Sequence, residues 1–228
     1  MITREQATAT VDHSMLGHCC TKEDVKKFAD AVLKYGFKSL VVGSDNVVNA
    51  VNFVEGRAKV ASVISFPQGA STTKMKITEA VGAIRDGASE VDVVVNFSRM
   101  REKNYDYVKN EIADVVKAVK DARADALTKF IIYMPYDQNS PLRLTEEESK
   151  IIGEFIIEGG GDFIKYHVYH DFMVKTFGEE VRKGNIQLKW SGCPDLPSMI
   201  KALEQGVTRI GHDSVDLWME NGGEEFFK

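Results

Sequence analysis

Residues 145–166 read Thr-Glu-Glu-Glu-Ser-Lys-Ile-Ile-Gly-Glu-Phe-Ile-Ile-Glu-Gly-Gly-Gly-Asp-Phe-Ile-Lys-Tyr and hold one complete helix-to-strand unit. Thr145 with Glu148 has the spacing of a capping box, in which side chain and backbone satisfy each other at a helix start. Gly159-Gly160-Gly161 stops that helix and leads tightly into the apolar run 163–166. The glycines have no phosphate-loop lysine after them, so they do not read as a nucleotide site.

The same unit recurs along the chain. Thr21 opens a helix in which Val25, Phe28, Ala29, Val32 and Leu33 fall on one face, and Gly36 stands at a left-handed stop. Further helical patterns cover 46–54, 73–86, 105–123, 173–182 and 197–205, the last opened by Asp195 and Pro197 and stopped by Gly206. Strand-like runs lie at 9–13, 39–42, 59–64, 90–95, 129–133, 163–166, 187–190 and 208–211. Eight strands with a helix in each of the seven gaps imply parallel pairing through right-handed crossovers. In 228 residues this favours a single (β/α)8 TIM barrel spanning 1–228 over a doubly wound sheet, which would leave units unplaced.

Composition narrows the partners. A net charge of −5 without a Lys/Arg block argues against nucleic acid. The N-terminus lacks a basic-then-apolar signal, and no apolar run approaches the ~20 residues that span a bilayer. Three cysteines, two of them adjacent at Cys19-Cys20, do not form a disulfide framework and suit a reducing cytoplasm.

In a TIM barrel the chemistry sits at the C-terminal ends of the strands. The polar residues expected there are Asp12, His13, Asp92, Lys165, Lys189, His212 and Asp213. Lys165 and Lys189 close consecutive strands. Phe163 and Lys165 share a strand face, which aims Lys165 into the barrel. A lysine attacks a carbonyl only as the neutral amine. Two ammonium groups about 5 Å apart repel by roughly 3 kcal/mol at an effective dielectric of 20. That is about two pKa units, enough to bring a lysine from about 10.4 toward 8. Asp92 then carries protons, directly or through a water. Snorkelling or ion-paired lysines are the plain alternative for either lysine alone.

Several spaced motifs, taken together, resemble the deoxyribose-phosphate aldolases. Gly87-Ala88-Ser89-Glu90-Val91-Asp92-Val93-Val94 looks like that family's fourth strand. Gly160-Gly161-Asp162-Phe163-Ile164-Lys165 resembles its Schiff-base strand, and Leu188-Lys189-Trp190-Ser191-Gly192 its second-lysine segment. Asp12-His13-Ser14-Met15-Leu16, the Phe66-Pro67-Gln68-Gly69 loop with Thr73, Lys76, Glu79 and Ala80, and Arg209-Ile210-Gly211 are similar to further family segments. The resemblance covers residues 10–215. It implies a lyase of metal-free, cofactor-free class I aldol chemistry, cleaving 2-deoxyribose 5-phosphate to acetaldehyde and glyceraldehyde 3-phosphate. Lys165 would form the imine, Lys189 tune it and Asp92 shuttle protons. Asp12, Ser14, His167, His170, Gly192, Gly211, His212, Asp213 and Ser214 would hold a small aldehyde or sugar, with homo-oligomerisation left open.

The departures fall in the substrate-holding loops. Tyr166-His167-Val168-Tyr169 stands where the family has Thr-Ser-Thr-Gly, Gly192-Cys193 replaces paired glycines, and Gly211-His212-Asp213-Ser214 replaces Gly-Thr-Ser-Ser. Tyr133 occupies a fifth-strand Glu position, Val42-Gly43-Ser44 a Cys-containing strand end, and Phe226-Phe227-Lys228 ends the chain without a terminal Tyr. Loss of glycines, and Asp213 in place of serine, predict poor handling of a 5-phosphate and a neutral hydroxylated tail instead. All five histidines, His13, His18, His167, His170 and His212, are expected after strands at the active face. A metal held by His167, His170 and Asp213 or His212 is disfavoured by two ammonium groups beside it. A non-catalytic ligand-binding barrel is the reading from another class, opposed by the joint presence of Asp92, Lys165 and Lys189. Trp190 is expected to pack outward, and Cys193 to line a pocket.

Overall fold

In the computed structural model the strands are β1 (Val11–Ser14), β2 (Ser39–Gly43), β3 (Lys59–Ile64), β4 (Glu90–Val94), β5 (Leu127–Ile131), β6 (Phe163–Tyr166), β7 (Gln187–Ser191) and β8 (Arg209–His212). The structure describes residues 2–132, 144–221 and 227. The strands close in sequence order, all parallel, with β1 paired to both β2 and β8. This is a (β/α)8 barrel. Around it run α1 (Arg4–Thr8), α2 (Lys22–Tyr35), α3 (Val47–Val54), α4 (Thr73–Arg85), α5 (Phe97–Arg101), α6 (Tyr105–Ala122), α7 (Glu146–Glu158), α8 (His170–Lys183), α9 (Leu196–Glu204) and α10 (Val215–Glu220).

The helix signals act as their chemistry requires. Thr21 and Thr145 each complete a capping box, and Asp195 accepts the backbone N–H of Ser198 at the start of α9. Three short helices, α1, α5 and α10, were not legible, because five or six residues are too few to display a helical period. α8 begins at His170 and not at Met173, since Tyr169 takes a left-handed φ of 60° and turns the chain straight into the helix. β5 begins at Leu127, two residues earlier than the apolar run suggests, in register with Glu90. Tyr133, Phe226 and Lys228 lie outside the described residues.

Two kinds of interior result. Outward strand residues such as Leu40, Val91, Phe130, Ile164 and Ile210 join the helices in one apolar layer. Inward residues on β2 and β3, namely Val41, Ala61 and Val63, form a small apolar patch with Leu16 and Phe66. The inward residues on the other strands are mostly charged. Among the described residues no helix is long and apolar enough to cross a membrane.

Candidate active site

Strand alternation builds the site. Residues two apart point the same way, so Asp12 on β1, Glu90 and Asp92 on β4, Lys129 on β5, Lys165 on β6, Lys189 on β7 and Arg209 on β8 meet inside the barrel. All seven are buried. Lys165 and Lys189 are neighbours in register, and each donates to Asp92 Oδ2 at 2.8 Å. Lys129 donates to the other oxygen, Asp92 Oδ1, at 2.7 Å and also contacts Glu90 at 2.6 Å. Lys189 reaches Asp12 at 2.5 Å. Arg209 clamps Asp12 and Glu90, and Ser39 Oγ donates to Asp12 at 2.6 Å. Phe163 lies close to Lys129 and Arg209. A second buried pair fixes the end of β4 from outside: Lys76 on α4 meets Glu111 on α6 at 2.6 Å and donates to the Val94 carbonyl at 2.8 Å.

This enclosure sets the protonation states. Burial lowers the Lys165 pKa, Asp92 pulls it back up, and the Lys189 and Lys129 charges lower it, leaving it at about 8. Burial therefore outranks the second lysine, the cause expected from sequence. Burial alone would raise the Asp92 pKa, but Lys129, Lys165 and Lys189 outweigh it and hold the carboxyl well below its usual range. The Asp12 carboxyl is likewise raised by burial and pulled below its ordinary value by Lys189, Lys129 and Arg209. Lys129 is lowered by burial and raised further by its three carboxylate neighbours, so it remains an ammonium. Four cationic side chains thus face three carboxylates. The interior balances when one amine is neutral, and Lys165 is the one shifted toward that state.

Above this cluster opens a cavity of about 420 Å³ lined by Ser14, Phe66, Ile131, Lys165, Ser191 and, at the rim, His167, Gly192, Gly211, His212 and Asp213. The Trp190 indole donates to the His167 carbonyl at 3.0 Å, and the His167 ring bonds back to the Ser191 backbone. That stitches the ends of β6 and β7. The His167 ring packs against Gly192, where a Cβ would meet Cε1 at 1.8 Å; the residue's φ of 78° suits glycine as well. Burial lowers the pKa of both His167 and His212, so both rings are neutral at pH 7. The His212 Nδ1 accepts the Ser214 N–H.

Of the expected site residues, Lys165, Ser14, His167, Gly192, Gly211, His212 and Asp213 line this cavity, while Asp92, bonded to Lys165, and Lys189, bonded to Asp92, are buried off the lining. Five placements are corrected. Asp12 lies beneath the cavity, fully buried among Lys189, Ser39 and Arg209, and does not line it. His13 points the other way, out of the barrel, stacked on Phe28 and beside Phe37 with Asp216 3.7 Å off. His170 heads α8, stacked on Trp190 and bonded to Tyr166 and Gln205, away from His167. Ser214 bonds to Asp213 and does not line the cavity. Cys193 is buried with its thiol pKa pushed up to about 12 by burial, and it too is off the cavity. Lys129, Glu90, Arg209 and Ser191 were missed as site residues; their shared inward register with Lys165, Lys189 and Asp92 was the signal available.

The arrangement is an amine kept near neutrality on the chamber wall, bonded to a buried carboxylate that also holds a second ammonium. That set can add to an aldehyde and move protons around the adduct. The comparisons identify the family. The profile of the DeoC/LacD family aldolases matches residues 6–212. The deoxyribose-phosphate aldolase of Finegoldia magna is 39% identical over 90% of this chain and 94% of its own. That of Thermoanaerobacter pseudethanolicus is 36% identical over 88% and 90%. Among solved structures, an aldolase named QR15 superposes with a TM-score of 0.83 at 29% identity over 96% of this chain and 97% of that one. A deoxyribose phosphate aldolase from Aeropyrum pernix, described as tetrameric, gives 0.79 at 24% identity over 96% and 92%. The barrel, its interior lysines and these relatives together make the chain a lyase, a class I aldolase belonging to the DeoC/LacD aldolase family.

Proposed function

We propose that Lys165 is the imine-forming lysine, that Lys189 holds its pKa down, and that Asp92 moves the protons. One observation carries this reading: Lys165, which lines the cavity, shares a single oxygen of the buried Asp92 with Lys189. Neutral Lys165 adds to the aldehyde carbon of a 2-deoxy sugar, and loss of water leaves an iminium. The C2–C3 bond then breaks, its electron pair enters the iminium to give an enamine, and the C3 hydroxyl becomes a carbonyl as its proton leaves. The iminium loses its positive charge in that step. Asp92 is thereby relieved of one of the three cations depressing its pKa when a base is required. Borohydride trapping with acetaldehyde, followed by peptide mapping, tests the assignment; label on Lys189 alone would reverse it.

For the tail of the substrate, the reading is a neutral hydroxylated chain held better than a 5-phosphate. The two rim imidazoles are neutral, the Asp213 carboxylate stands at the rim, and Gly192 is covered by the His167 ring. Asp213 weighs less than its sequence position suggests. Its side chain is 70% exposed, so water and salt screen it. The second reading, cleavage of the 5-phosphate, is favoured by the relatives, which carry the name deoxyribose-phosphate aldolase. Comparing kcat/KM on 2-deoxyribose and its 5-phosphate decides. A preference of about a hundredfold for the phosphate, roughly 2.7 kcal/mol of transition-state binding, would sink the first reading. A cytoplasmic setting belongs to the same proposal, supported by three free cysteines.

A further inference from the structure

One hydroxyl in the cavity has no task in the chemistry above. Ser191 stands two residues beyond Lys189 on β7, so the two share the inward face, with Ser191 nearer the mouth. It lines the cavity together with Lys165. Its register partner on β8 is Gly211. A Cβ at Gly211 would meet Ser191 Oγ at 2.7 Å and Lys189 Cε at 2.9 Å. The bare Cα of Gly211 is therefore what lets the hydroxyl and the lysine stem lie side by side.

Ser191 Oγ is shielded from solvent, yet it has no hydrogen-bond partner among the described residues. Its surroundings do not lack polar atoms. The His167 ring bonds to the Ser191 backbone and leaves the hydroxyl unengaged. Lys189 is committed to Asp12 and Asp92. Buried hydroxyls in native proteins are nearly always satisfied. One left open beside a reactive lysine, on a residue that lines a substrate-sized chamber, needs only a rotation about χ1 to meet an oxygen brought by the substrate.

We propose that Ser191 is a catalytic residue that donates its hydroxyl hydrogen to the oxygen on the carbon that is cleaved from the enamine carbon, or joined to it in the reverse direction. The inference rests on the Lys165 imine reading. With C1 of the sugar bound to Lys165, the C3 oxygen lies two carbons further along, on the mouth side of the lysines, the level at which Ser191 stands above Lys189. In cleavage the C3 hydroxyl proton leaves toward Asp92 through a water, the C2–C3 pair enters the iminium, and the C3–O bond becomes a carbonyl. Ser191 neither gains nor loses a proton. It stabilises the negative charge that gathers on that oxygen in the transition state, where a fixed donor sheltered from water acts most strongly.

The test separates steps that involve the C3 oxygen from steps that do not. Acetaldehyde alone forms the imine and enamine but carries no such oxygen. Ser191→Ala is expected to leave two readouts within twofold of the parent: borohydride trapping of acetaldehyde on Lys165, and exchange of the acetaldehyde methyl hydrogens with deuterated water. Cleavage of 2-deoxyribose, or of its 5-phosphate if that is the better substrate, is expected to lose ten- to a hundredfold in kcat with KM changed much less. Ser191→Cys fills the position with a slightly larger group that donates poorly, so it should show the same split even if the alanine variant folds badly. Cleavage unchanged in both variants overturns the proposal. So does a parallel fall in trapping, exchange and cleavage, which would mark Ser191 as a support for Lys189. Failure of the parent protein to trap acetaldehyde on Lys165 would overturn the imine reading itself, and this inference with it.

Discussion

Lys165 and Lys189 hold the same carboxylate oxygen: each Nζ lies 2.8 Å from Oδ2 of Asp92. Two like charges are thus brought together by a shared anion inside a closed barrel. The anion reduces their repulsion without cancelling it, and burial adds a bias toward the neutral amine. The balance leaves Lys165 with a pKa of about 8.

The first prediction follows from that balance. A lysine that must be neutral to react gives a rate that rises as pH climbs through its pKa, here near 8. Lys189→Leu removes one of the charges that depress it and frees Asp92 to draw Lys165 upward. The rising limb of imine trapping should move above 8 by a unit or more, with about a tenfold loss of rate at pH 7 per unit. A limb left in place would mean that burial alone sets the pKa.

Lys129 should prove more important for stability than for turnover. It bridges Asp92 and Glu90 with no exposure to solvent. Lys129→Met takes from Asp92 and Glu90 the cation that bridges them, and breaking a buried pair in this way costs about 3–5 kcal/mol. For a chain of this size that is roughly a 10 °C fall in Tm, readable by calorimetry. A fall under about 3 °C would show that Arg209, Lys165 and Lys189 suffice to balance the site.

The order and type of the elements were legible because helix and strand periods differ and the caps are chemically distinct. Much of the interior charge was not. Glu90, Lys129 and Arg209 read as ordinary strand residues, since sequence alone does not say that the barrel interior is polar on β1 and β4–β8 and apolar on β2 and β3. His13 shows the reverse error. It adjoins Asp12 in sequence, yet alternation sends the two to opposite faces of β1. His170 was misplaced because the left-handed Tyr169, not a cap residue, starts α8.

Gly192 and His167 should behave as a coupled pair. Gly192→Ala places a methyl where the His167 ring now lies, at a backbone angle that costs a non-glycine residue about 1 kcal/mol. The single variant should lose more than that in stability, with the His167 ring displaced. Adding His167→Ser should restore all but the backbone cost. A double-mutant cycle on urea midpoints measures the coupling; strictly additive losses would show that the ring moves aside freely.

Acid should weaken the fold in a window set by histidines. His13, His167 and His212 each have a pKa lowered chiefly by burial. Below the unfolded value of about 6.5 the unfolded chain binds more protons, so stability is full above that pH and falls as pH drops beneath it. Asp12 and Asp92, with lowered pKa values, add their own loss only below about 4. His13→Phe, which suits the Phe28 and Phe37 rings, should flatten the urea midpoint between pH 6.5 and 5. An equally steep decline in that variant would assign the loss to the rim histidines.

The chain has two tryptophans, and each rests on an imidazole: Trp190 on His170 at 4.2 Å and Trp218 on His212 at 4.4 Å. An indole in contact with a ring that can take up a proton changes its emission when that proton arrives. His212 lines the cavity rim, and Trp190 is bonded to the His167 backbone beside it. The protein therefore carries two native fluorophores at the margin of its reaction chamber. Ligand entry should alter the light of both, and acidification that of Trp218 through His212, without any attached label.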